Sequence, residues 1–147
     1  GAIEAVDFLR HKGLMAALAS SSPYRVIRAV LDLTALADRF QVVHSAEEER
    51  EGKPHPAVYI ATARKLGVPP ASCLAIEDSP NGVAAAKSAG MTCVAIPNAS
   101  FEGRELFREA DIVVPSLRHI DETLWTRLLT ARQPTRVTAG EARLRIP

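Results

Sequence analysis

Short runs rich in aliphatic and β-branched residues alternate with longer segments whose apolar positions recur at helical spacing, the pattern of a parallel sheet with helices packed on it. Ala2, Ala5, Val6 and Leu9 fall on one helical face, and Gly13 stops that helix. Residues 14–19 (LMAALA) have no polar position, as in a strand buried on both faces. Ser22-Pro23 reads as an N-cap with proline at the first helical position, and Val26, Ile27, Val30 and Leu31 form the apolar stripe of the helix that follows. A second strand is predicted over residues 40–44. Residues 47–56 (EEEREGKPHP) are too charged and proline-rich for a core element, so they predict an exposed loop feeding a helix over 57–66. A third strand spans 72–76, Asp78-Ser79-Pro80 opens a helix through Ala89, and Gly90 ends it before a fourth strand over 92–96. Residues 110–114 predict a short fifth strand, and Asp121 caps a last helix carrying Leu124, Trp125, Leu128 and Leu129 at helical spacing. Beyond Arg132 the chain turns polar and proline-dotted, giving an α/β core over 1–132 and a loosely held tail over 133–147.

Composition narrows the class. With 147 residues, 47% of them apolar and 24% charged, the chain can bury a sizeable core as one soluble domain without disulfides or a structural metal. The formal charge of +1 is spread along the sequence with no basic stripe, which excludes a nucleic-acid footprint. No apolar run approaches the ~18 residues of a membrane span, and Glu4 and Asp7 stand where a secretory signal would be basic and then greasy, so a cytoplasmic chain is expected. Cys73 and Cys93 lie inside apolar runs at a spacing used by no zinc or redox motif, and read as buried reduced thiols.

Three polar clusters stand beside predicted strand ends, where open α/β sheets place their ligand sites. Ser20-Ser21-Ser22 follows an apolar strand and precedes a helix start, so hydroxyls and unpaired backbone N–H groups converge on a corner suited to an anion such as phosphate; Ser22 would equally serve as a simple cap. Lys53 in GKPHP is mounted on a backbone stiffened by proline, a good support for a phosphate-binding ammonium, although Glu47, Glu48, Glu49 and Glu51 also fit a solvated lysine on a charged loop. His55, between two prolines, is a lesser candidate. Glu77-Asp78 places two carboxylates after the apolar run CLAI, a pair of hard oxygen ligands suited to Mg²⁺; the plainer alternative makes Asp78 a helix cap and Glu77 a strand-end charge.

In this order, ALASSSP, GKPHPAVYIATARKLGV and CLAIEDSPNGVAAAKSAGM resemble the second, lysine and acidic motifs of the haloacid dehalogenase (HAD) superfamily, in its phosphatase and β-phosphoglucomutase-like branch, over roughly residues 1–118. The resemblance implies a Rossmann-like (HAD-like) parallel sheet with flanking helices. It implies that Ser20, with Ser21, binds the transferring phosphoryl group, that Lys53 stabilises its charge, and that Glu77 and Asp78 help to hold Mg²⁺. The implied activity is a phosphatase acting on small phosphorylated metabolites such as sugar phosphates, with a phosphomutase or an inert binding module as alternatives.

One family motif has no match: the pair of aspartates, nucleophile and general acid/base, that ends an N-terminal central strand. The resemblance therefore implies that the central strand and the helical cap are absent from this chain. Strands ending in Ser20 and Glu77 would then flank a gap lined with apolar groups and unpaired backbone N–H and C=O, to be covered by an N-terminal segment or by a second copy of the chain.

Overall fold

The computed structural model describes residues 1–98, 100 and 103–132. Helix and strand alternate as α1 (Ala2–His11), β1 (Ala17–Ser20), α2 (Tyr24–Thr34), β2 (Val42–Ser45), α3 (Ala57–Leu66), β3 (Leu74–Glu77), α4 (Pro80–Ser88), β4 (Thr92–Ala95), β5 (Ile112–Val113) and α5 (Glu122–Arg132). The turns at Gly13 and Gly90, at φ 82° and 78°, stop the chain before β1 and β4 where the sequence predicts a glycine stop. The tail expected over 133–147 lies outside the described residues. Among the described residues no helix is long and apolar enough to cross a membrane.

Among the described residues every strand pairing is parallel, but the strands form two sheets. β1 pairs with β2, from Ala17 opposite Val42 to Ser20 opposite Ser45. β3, β4 and β5 form the second sheet, with Leu74 opposite Thr92 and Val94 opposite Ile112. Helices cover both faces of the three-stranded sheet. Cys93 and Ala95 of β4 point into a core with Val58 and Tyr59 of α3, Val83 and Ala86 of α4, and Phe107. Val94, between them, points the other way, toward Ala5 of α1 and Leu124 and Leu128 of α5. That alternation is the two-residue period of a strand buried on both faces.

Several expectations are corrected. The first strand is shorter than residues 14–19 and only half-buried along its length, and Leu14 and Met15 are exposed. The reason is positional: one flank of β1 faces β2 and the other faces a cleft. Pro23, not Ser22, occupies the cap position of α2, where no side-chain cap bond forms, and the Glu47 carboxylate accepts the Tyr24 N–H at 2.9 Å. In α2 only Ile27 and Leu31 of the expected stripe are buried; Val26 and Val30 are about half exposed, because the two-stranded sheet offers α2 a narrow seat. Ser79, not Asp78, caps α4, its Oγ accepting the Gly82 N–H at 3.1 Å. Cys93 is buried and Cys73 half-buried; neither is in a disulfide, and burial with Glu77 nearby pushes the Cys93 thiol up to about 12.

Between the two sheets runs an apolar cleft of about 580 Å³. β1 and β3 form its sides, α3 its floor through Tyr59, Thr62 and Leu66, and α1 and α5 close it from the opposite direction. The parity of the ladders shows which backbone groups face it. Ala16 O accepts from Gln41 N at 2.9 Å, so Ala16, Leu18 and Ser20 turn toward β2, and Ala17 and Ala19 turn outward. Cys73 O and Glu77 O accept from Thr92 N and Ile96 N on the β4 side at 3.2 and 2.7 Å, so Leu74 and Ile76 turn outward in the same way. Among the described residues neither outward edge belongs to a ladder. This is the gap that the resemblance implies between the strands ending in Ser20 and Glu77.

Candidate active site

The carboxyl-terminal ends of β1 and β3 lie at the same end of the molecule, and Lys53 joins them. Its ammonium donates to the backbone carbonyl of Ala19 at 3.4 Å and to the Glu77 carboxylate. Both partners are shielded: the Lys53 side chain is 11% exposed and that of Glu77 6%. An ion pair removed from water to this degree requires additional hydrogen bonds to offset its desolvation. Tyr59 supplies one, its hydroxyl donating to Glu77 Oε1. Burial and then the Glu77 charge hold the Tyr59 phenol well above the ordinary phenolic range, so it stays protonated and a donor.

Lys53 is therefore not the solvated lysine of a charged loop, and the fate of its acidic neighbours shows why. Glu47 takes the Tyr24 N–H, Glu48 pairs with Lys65 and the Tyr24 hydroxyl, Glu49 accepts from His44, and Glu51 lies 3.6 Å from His55. Each acid is engaged elsewhere and the lysine turns inward. His55 accepts the Ala57 N–H at 3.3 Å just before α3, a local backbone contact.

Ser20 Oγ accepts the Ser22 N–H at 3.0 Å, which folds residues 20–22 into a tight corner after β1. Ser45, fully buried at the end of β2, pins that corner by donating to Ser22 O at 2.7 Å and accepting the Glu47 N–H at 3.1 Å. Ser21 is exposed and lines a small pocket of about 250 Å³ with Lys53, Ser79, Pro80 and Asn81. The pocket thus gathers a hydroxyl, an ammonium and the first turn of α4, a set of donors that fits an anion. Asn81 and Ser45 were not singled out from the sequence. Asn81 follows the proline that opens a helix just after the acidic strand end, which is the signal that would have found it; Ser45 carries none, since its role lies across the sheet.

Glu77 lies against α4 because residue 82 is glycine. A Cβ there would meet Glu77 Oε2 at 1.8 Å and Cδ at 2.1 Å. Asp78, relieved of capping by Ser79, has an exposed side chain, and its carbonyl accepts the Asn98 N–H at 3.1 Å. The structure thus brings Lys53 and Glu77 into contact, places Ser20 and Ser21 at the neighbouring strand end, and leaves Asp78 at the lip. Among the described residues no carboxylate or imidazole is hydrogen-bonded to Ser20 Oγ, so the serine lacks the adjacent base that nucleophilic catalysis requires.

Comparison with known proteins follows the same lines. Residues 1–90 match the haloacid dehalogenase-like hydrolase family model. Hexitol phosphatase B of Escherichia coli is 40% identical over 120 residues, which are 82% of this chain and 54% of that protein. β-Phosphoglucomutase from Clostridium difficile superposes with a TM-score of 0.78 at 25% identity, covering 89% of this chain and 56% of that one. A HAD phosphatase from Thermococcus onnurineus gives 0.72 at 32% identity, over 83% and 55%. The chain spans about half the length of the curated relatives it matches. By sequence and by fold, the chain belongs to the haloacid dehalogenase-like hydrolase family.

Proposed function

We propose that the chain forms the serine, lysine and carboxylate side of a Mg²⁺-dependent phosphoryl-transfer hydrolase acting on small phosphorylated metabolites such as sugar phosphates, completed by an aspartate-bearing strand seated in the inter-sheet cleft. The observation that carries this reading is the shielded Lys53 ammonium, held between Ala19 O and Glu77 at the ends of two parallel strands and open to the pocket that Ser21 and Asn81 line. A fixed cation in a water-poor site can stabilise charge as it builds on a transferring phosphoryl group. Ser20 and Ser21 would orient the phosphate oxygens from the other side.

The donor set suits a Mg²⁺ that is held partly by its substrate. Mg²⁺ takes one or two protein carboxylates and fills its remaining positions with phosphate oxygens and water. Glu77 and Asp78 supply that number, and no cluster of three or more ligating side chains occurs among the described residues. Asp78, exposed at the lip, would be the principal ligand, with Glu77 behind it and already neutralised by Lys53. When bound, the cation would supply positive charge against the phosphoryl oxygens.

The test is the chain joined to a segment that provides an apolar strand ending in an Asp-x-Asp pattern, assayed for phosphate release from a panel of sugar phosphates with and without Mg²⁺. Metal-dependent release is expected; no turnover on any member of the panel, by a folded protein, sinks the reading. A phosphomutase is the second reading, favoured by the overlap with β-phosphoglucomutase. It would give an isomerised sugar phosphate in place of free phosphate.

A further inference from the structure

We propose that Tyr59 is the positioning residue of the Lys53–Glu77 pair. Its hydroxyl fixes the carboxylate and the ammonium relative to each other, and its ring ties them to the inter-sheet cleft. The proposal rests on the functional reading of Lys53 given above.

Tyr59 sits in the first turns of α3 among Val58, Ala61 and Ala63, all buried, and at that spacing it reads as ordinary core. A phenylalanine would fill the same space. The hydroxyl is what needs an account, because a buried phenol costs free energy unless it is hydrogen-bonded. It donates to Glu77 Oε1 and accepts from Lys53 Nζ at 3.3 Å, while the ammonium lies 4.7 Å from the ring centroid. Lys53 is thus held by a carbonyl, a carboxylate, a phenolic oxygen and a π face at once. A lysine otherwise has many rotamers to lose when it binds a ligand; here most of that ordering precedes the ligand. The chain from ammonium to phenol to carboxylate also polarises each of its links.

The ring has a second neighbour. It forms part of the floor of the cleft between β1 and β3, so a strand lying in the cleft would pack against the ring whose hydroxyl sets Lys53 and Glu77. Tyr59 therefore connects the filling of the cleft to the geometry of the polar site.

The test needs no turnover, which separates it from the test of the functional reading. Acetic anhydride labelling of the 147-residue chain, read by mass spectrometry, reports Lys53 beside Lys12, Lys65 and Lys87 as internal references. Tyr59→Phe keeps the ring and the packing. It should label Lys53 about fivefold faster, the factor that corresponds to a hydrogen bond of ordinary strength, with the other three lysines unchanged. If Phe restores the parental Lys53 rate, the role of Tyr59 is packing alone and the proposal falls. Should the Phe variant fail to fold, 3-fluorotyrosine incorporated in a Tyr24→Phe background places one ¹⁹F probe at position 59. Replacing Lys53 by Met should move its resonance, and a resonance that stays put overturns the proposal. Loss of the functional reading, by a complete protein without phosphatase activity, would leave both readouts intact.

Discussion

At the scale of single residues, the site depends on a carboxylate packed where no side chain can stand. Gly82→Ala would put a methyl group 1.8 Å from Glu77 Oε2. The clashing atom ends a flexible side chain, but Lys53 and Tyr59 pin that end, so moving it breaks both contacts. We expect a loss of stability of about 1–3 kcal/mol, the usual range for overpacking, measurable by denaturant unfolding, together with faster chemical labelling of Lys53. A variant with parental stability and labelling would show that Glu77 has room to move. Lys53→Ala should act more severely, because it leaves a buried carboxylate without its cation, a defect of about 3–5 kcal/mol. In the protein completed by the aspartate strand, turnover by the folded Lys53→Ala variant should fall by about 100-fold or more, and a loss below twofold would return Lys53 to a structural role. Glu77 and Ser20 were legible in the sequence because each is a polar residue at the end of an apolar run, and Lys53 because glycine and proline mount it on a stiffened loop. Tyr59, Gly82 and Ser45 were not, because each looks locally like a core or helix residue and acts only through a partner on another element.

At the scale of elements, helices were read more accurately than strands. Residues 57–66 match α3 in full, since an apolar helical stripe extends over several turns. The strands are four residues or fewer, and their ends depend on which neighbour pairs with them, which periodicity does not carry. The choice of Ser79 over Asp78 as the cap of α4 is of the same kind: both are good caps, and the register of the turn decides. β5 (Ile112–Val113) occupies only the middle of the strand expected over 110–114, and the residue before it shows how elements are joined. Asp111 accepts the Cys93 N–H and the Lys87 ammonium, both at 2.7 Å, linking the edge of β5 to β4 and α4. Burial alone would raise its carboxyl pKa, but the Lys87 and Cys93 hydrogen bonds outweigh burial and hold it below the ordinary carboxylate value. A carboxyl whose pKa is lower folded than unfolded stabilises the fold above the unfolded value and loses that contribution as pH falls through the folded one. Asp111→Asn should therefore be less stable than the parent near neutral pH, with the difference closing as pH drops from about 5 toward about 2. Thermal unfolding across that range checks it; a difference that stays constant would mean the charge contributes nothing. Leu33, at 87% exposure, is a contrast on α2, and Leu33→Lys should change stability by less than about 0.5 kcal/mol.

At the scale of the whole molecule, the split sheet was legible only through the family resemblance. Periodicity predicts strands and helices but not which strands are neighbours. The absence of a matching aspartate motif predicted where neighbours would be separated, and the cleft lies there. Its consequences extend to the chain in solution. Outward-facing amides and carbonyls at Ala17, Ala19, Leu74 and Ile76, above an apolar floor, form two open parallel edges, and open edges of this kind recruit other strands. Trp125 lines the same cleft and is the chain's single tryptophan, so its fluorescence reports what the cleft contains. The 147-residue chain should associate or bind an apolar dye, and it should release no phosphate from sugar phosphates even with Mg²⁺, because none of Lys53, Ser20, Glu77 and Asp78, the proposed phosphoryl-binding groups, is a nucleophile with a base beside it. An extended apolar peptide of about five residues, the length of a typical strand, should shift Trp125 emission to the blue and displace the dye, and the same peptide with its alternate apolar positions made charged should do neither. Emission and solution mass measured along one titration decide the matter. A monodisperse monomer whose Trp125 emission ignores the peptide would show that the two edges are closed to strands, and Mg²⁺-dependent turnover by that monomer would mean that the reaction takes its nucleophile from within this chain.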